Sequence, residues 1–66
     1  MDDYLFKPIN DTKEIMKAHV EGVLLYYIWD GENVHDRSNY FAVTSTDDLV
    51  GMLFFDDCHI GVFENC

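Results

Sequence analysis

The stretch Ser45-Thr46-Asp47-Asp48-Leu49-Val50-Gly51-Met52-Leu53-Phe54-Phe55 decides between two architectures. Read as a helix, it opens on Ser45 as N-cap with Asp48 three residues on, a pairing that resembles a capping box. Read as a strand, it is an apolar run in which Gly51, Val50 and two Phe are modest or poor helix formers. A helix on a protein surface shows polar residues at helical spacing, and residues 49 to 55 contain none. The periodicity therefore predicts a strand, with Asp56-Asp57 as a tight turn into Cys58-His59-Ile60-Gly61-Val62-Phe63-Glu64.

Upstream, Val23-Leu24-Leu25-Tyr26-Tyr27-Ile28-Trp29 is a strand closed by the turn signal Asp30-Gly31. Its two faces are both apolar, so a sheet built on it needs cover on both sides. After a polar loop, Asn39 to Thr44 reads as a strand antiparallel to it, because the connection is too short for a crossover. Asp11 as N-cap and Glu14 three residues on, followed by Ile15 and Met16, predict a helix over about 11–19. The first seven residues add an edge strand or lie across the sheet. The expected fold is α+β in a single domain, 1–66: a small antiparallel sheet of three to four strands in meander order, with one N-terminal helix packed on it. The alternative is a ferredoxin-like split β-α-β arrangement with a second helix at about 46–55.

Thirteen acidic residues face four basic ones, a formal net charge of -9 on a chain that is 48% hydrophobic and 15% aromatic. An acidic disordered tail has few aromatics, so this chain is expected to fold. The negative field argues against direct binding of nucleic acid or anionic lipid, whose phosphates attract Lys and Arg. No apolar run approaches the roughly 18–20 residues that span a bilayer, and the N-terminus lacks a basic n-region. Cys58 and Cys66 read as free thiols, which fits a cytoplasmic setting.

In a meander, the loop after the first strand and the turn after the third share one end of the sheet. That end gathers Asp30, Glu32, Asp36, Asp56 and Asp57, with Arg37 as counter-charge, and strand spacing sets the loop and turn on the order of 10 Å apart. Asp47 and Asp48 fall at the opposite end with Glu21 and Glu64. Acidic residues favour turns, and many small proteins are acidic for solubility. The pair Asp56-Asp57 has no such structural use, since it suits neither a two-residue hairpin nor a helix C-terminus.

Other chemistry is not indicated. Asp56-Asp57-Cys58-His59 lacks the spacing of a zinc site, and Asp30-Gly31-Glu32 is only a fragment of a calcium loop. Cys58 has no local signature pairing it with His19, His35 or His59. The four glycines are scattered singly, so no phosphate loop is formed. The expectation is a non-enzymatic protein with no metal and no cofactor.

In size, acidity and lack of a catalytic signature the chain resembles small phage-encoded inhibitors of the anti-CRISPR and anti-restriction type. The resemblance is one of composition and rests on no specific motif. It implies a DNA or RNA mimic whose carboxylates occupy the Arg/Lys groove of a basic nucleic-acid-binding protein, such as a nuclease or CRISPR effector, in the host cytoplasm. The expected contact residues are Asp30, Glu32, Asp36, Asp56 and Asp57, then Asp47 and Asp48. The alternatives are a homodimeric or subunit-type interaction module using an apolar sheet face, and an antitoxin or immunity-type binder that acts by shape.

Overall fold

The computed structural model describes residues 4–65; residues 1–3 and Cys66, one of the two expected thiols, lie outside them. The chain runs β1 (Tyr4–Pro8), α1 (Thr12–Val20), β2 (Tyr26–Trp29), a single 3-10 turn at Arg37–Asn39, β3 (Phe41–Ala42), α2 (Thr46–Leu53) and β4 (Cys58–Asn65). All strand pairings are antiparallel, and the spatial order is β1-β4-β2-β3. The α+β class and the four-stranded antiparallel sheet are as expected.

Two details of that expectation are corrected. Residues 46–53 are helix rather than strand, because the Ser45 side chain accepts a hydrogen bond from the Asp48 amide at 3.1 Å and so nucleates the first turn. The apolar run after Asp48 is not all buried: Leu49 is fully buried, while Val50 and the C-cap residue Phe54 stay in solvent. The strand order is not a meander. β4 enters between β1 and β2, so those two run parallel with β4 between them, and β3 runs parallel to β4 with β2 between them. Each helix thus bridges a split β-α-β unit, which is the alternative reading of the sequence.

The helix α1 starts at the expected cap, where the Asp11 carboxylate accepts from the Lys13 amide at 3.0 Å. It ends at Glu21, and Gly22 at φ 85° turns the chain back. That reversal, with the Val23 amide bonded to the Ala18 carbonyl, holds Val23 and Leu24 out of the sheet. The long apolar run therefore yields only four strand residues. Its buried Leu25 joins Ile15, Val43, Leu49 and Ile60 in the core between the helices and the sheet.

The eight-residue β4 divides its length. Residues 61–65 pair with β1 and residues 58–61 with β2, so Gly61 is the one position with a partner on each side, Pro8 and Tyr26. Strand alternation places Tyr27, Trp29, Cys58, Ile60 and Val62 on the helix-covered face. The other face carries Phe6, Tyr26, Ile28, His59 and Phe63, and its cover is the loop from Asp30 to Tyr40. Tyr40 stacks at 4.8 Å on both Phe6 and Phe63, and Ile28 beneath is only 2% exposed. The two-faced apolar sheet thus has cover on both sides, the helices on one and the loop from Asp30 to Tyr40 over part of the other.

Candidate functional site

The carboxylates divide between the two ends of the sheet. At the end where β2 stops and β4 starts, Trp29 pairs with Cys58, which sets Asp30 beside Asp57. Their backbones are joined directly, the Asp30 amide donating to the Asp57 carbonyl at 2.7 Å. The contact is closer than a meander allows, because β2 and β4 are immediate neighbours rather than separated by another strand. Asp56 precedes Asp57 in the same turn, and Glu32 follows in the turn that its amide closes on the Trp29 carbonyl. All four side chains are exposed. His59 Nε2 stands 3.4 Å from Asp30 Oδ1.

Asp36 has a different occupation. Its carboxylate accepts from the Ser38 amide at 3.0 Å and the Ser38 hydroxyl at 2.6 Å, capping the 3-10 turn. Those two donors, the hydroxyl first, hold its pKa below the ordinary Asp value. It is thus a structural element of the loop that covers the sheet.

Asp47 and Asp48 lie in the first turn of α2, where the positive end of the helix dipole favours them. This is the opposite end of the sheet, tied to the end of α1 by a 2.8 Å contact between His19 Nε2 and Thr46 Oγ1. Asp48 is half-buried, accepts from the Thr44 amide at 3.5 Å, and helps raise the Tyr27 pKa after burial of that phenol, the larger cause. Glu64, grouped with this end in the sequence, is 3.9 Å from Lys7.

Asp56 and Asp57 follow α2 directly, in a turn between helix and strand rather than in a hairpin. They add negative charge beyond a helix C-terminus, and α2 has no basic residue in its last turn. Burial and then Asp57 push the Cys58 thiol above its ordinary pKa, so this half-buried cysteine is a poor nucleophile. Among the described residues no three His, Cys, Asp or Glu side chains converge as a metal-holding group, and no helix is long and apolar enough to cross a membrane.

The site has an apolar component that sequence reasoning missed. Phe54, at the C-cap of α2, is 82% exposed, and Phe55 is half-exposed beside Trp29 at 5.3 Å. Val50, one turn before Phe54, is exposed as well. The signal was present: a helix apolar at every azimuth from 49 to 55 cannot bury all of its faces against one sheet. The end of the fold therefore carries the sequence Phe54-Phe55-Asp56-Asp57 with Asp30 and Glu32 alongside, an exposed aromatic edged by carboxylates.

No protein-family profile, curated protein or solved structure matches this chain. The fold and its surface define a class, a small acidic α+β protein with a charged and aromatic end.

Proposed function

We propose that this protein is a small acidic inhibitor that acts by occupying the basic, nucleic-acid-binding surface of a partner protein, in the manner of a DNA or RNA mimic. The observation that carries this reading is the junction of Asp30 with Asp57, flanked by Asp56 and Glu32, at the end opposite Asp47 and Asp48. Carboxylates fixed to strand ends hold their spacing, so little conformational entropy is lost when they meet an Arg/Lys groove. The net charge of -9 speeds the encounter with a basic partner. The protein works by occupancy rather than by catalysis, in the cytoplasm, on a nuclease or CRISPR effector. Asp30, Glu32, Asp56 and Asp57 make the contact.

The exposed Phe54 favours a second reading, an antitoxin or immunity-type binder anchored by shape. Large aromatics in a pocket, ringed by polar contacts, carry most of the energy of such interfaces.

Capture of partners from a host extract, followed by affinity measurement on the purified complex, tests both. Mimicry expects a basic partner whose affinity falls about tenfold or more between roughly 50 and 200 mM salt and is competed by DNA or RNA. The double variant Asp56→Lys/Asp57→Lys then abolishes inhibition while the chain stays folded. Affinity indifferent to salt and nucleic acid, but lost in Phe54→Ser, replaces mimicry with the anchored binder.

A further inference from the structure

The loop-covered face of the sheet contains a cavity of about 560 Å³, within the range of small-molecule sites. Its apolar lining includes Phe6, Ile28 and Phe63. The Phe6 and Phe63 rings meet edge-on at 5.4 Å. The polar lining is unusual for so acidic a chain. Of its four Lys/Arg and three His residues, Arg37, His35 and His59 all face this one space.

We propose that this cavity binds a small organic anion with an aromatic body, a function distinct from that of the acidic end although the two adjoin at His59 and Asp30. The Arg37 guanidinium lies 4.0 Å over the Phe63 ring and 5.4 Å from that of Tyr26, so its position at the cavity is held by aromatic contacts. The wall opposite the sheet is built rather than loosely laid down. The Tyr40 hydroxyl donates to the Val34 carbonyl at 2.6 Å, and the Asn39 side-chain amide donates to the Asn33 carbonyl at 3.0 Å. Asp30 Oδ1 lies 3.4 Å from His59 Nε2, so one nitrogen of that imidazole already faces a carboxylate.

An aromatic body fits because flat rings pack against Phe6 and Phe63 in offset or edge-on geometry. An anionic group fits because two imidazoles and a guanidinium meet in a molecule whose overall field repels anions. Long-range steering is thus absent for such a ligand, and its binding rests on contacts within the cavity.

The test is an NMR titration of the full chain with 2-naphthoate, with 2-naphthylmethanol as the neutral counterpart and acetate as the anion without a ring. Saturable shifts at Phe6, Val34, Arg37 and Phe63 are expected for 2-naphthoate, with a dissociation constant on the order of 1 mM or tighter. The alcohol and acetate each bind about fivefold or more weakly. Arg37→Gln weakens 2-naphthoate about tenfold, whereas Lys13→Gln, on α1, leaves it unchanged. His35→Gln, on the exposed loop, also weakens it and supplies the result if Arg37→Gln loses the folded spectrum. The proposal is overturned by the absence of saturable shifts at about 10 mM probe, by the alcohol binding as well as the acid, or by both Arg37→Gln and His35→Gln retaining full affinity.

Discussion

Gly61 is where β4 touches both of its neighbours, and replacing it with Ala measures how closely β1 approaches. A Cβ at this position collides with the Lys7 carbonyl oxygen and stands 2.7 Å from Pro8 Cα and 2.8 Å from the Lys7 carbonyl carbon. All three are backbone atoms of β1, which move only if the strand moves. Overpacking of a closed site costs about 1–3 kcal/mol, and the upper end applies where no side chain can give way. At about 2.1 cal/mol/K per residue, unfolding this 66-residue chain carries about 0.14 kcal/mol/K of entropy, so 3 kcal/mol lowers the melting temperature by about 20 °C. A chain of this length holds only about 3–10 kcal/mol in total. Gly51→Ala is the counterpart: nothing lies within 4 Å of its Cβ, and it sits inside α2. It should raise the melting temperature by about 4–7 °C, from the 0.5–1 kcal/mol that Ala gains over Gly in a helix. Thermal denaturation followed by circular dichroism reads both. A Gly61→Ala protein melting within about 5 °C of the parent would refute the close approach of β1, and a destabilised Gly51→Ala would return residues 46–53 to a strand.

Leu49→Ala removes a side chain with no solvent exposure and should cost about 3 kcal/mol, seen as a lower urea midpoint at unchanged slope. A loss below about 1 kcal/mol contradicts the placement of α2 over the core. The Asp36 carboxyl has a folded pKa below its unfolded one, so its cap stabilises at neutral pH and fades as the pH falls through the lowered value. The melting gap between the parent and Asp36→Ala should be constant near neutrality and shrink below about pH 4; a gap unchanged down to pH 2 refutes the cap. Cys58, with its thiol pKa raised by burial and Asp57, should react with iodoacetamide at pH 8 more slowly than glutathione, and faster in Asp57→Asn. Peptide mass spectrometry follows the rate, and labelling as fast as the small thiol contradicts the half-buried site.

Local signals were legible where the chain decides its own conformation. The Asp11 cap set the start of α1, and the run from Cys58 to Glu64 after the Asp56-Asp57 turn read as the strand that is β4. The helix at 46–53 was legible from Ser45 and Asp48, but the absence of polar residues after Asp48 argued the other way. That absence reflects Val50 and Phe54 standing in solvent, a property of the surface and not of the backbone. Long-range order was not legible. Nothing local in Cys58–Asn65 says that it lies between the first two strands, a placement settled by burial of Ile60 with Ile15 and Leu49 from distant segments. The nearness of Asp30 to Asp57 was legible despite the different strand order, since either order brings the residues after Trp29 near those before Cys58, but the direct backbone contact and the separate role of Asp36 as a cap were not. The gathering of His35, Arg37 and His59 was out of reach because it depends on how the loop from Asp30 to Tyr40 folds over the sheet.

The interleaved strand order also bears on how the chain comes together. Residues 4–29 form one strand-helix-strand half with a slot one strand wide, about 10 Å between its two strands, and residues 41–65 form another. Each slot is filled only by a strand of the other half. The first ladder joins Tyr4 to Asn65, almost the full length of the described chain. On this topology neither half is expected to fold alone, and the search for distant pairings is expected to limit the folding rate more than any local step. Severed within the loop between β2 and β3, the two pieces should remain disordered apart and regain structure only when mixed, each acting as the template for the other.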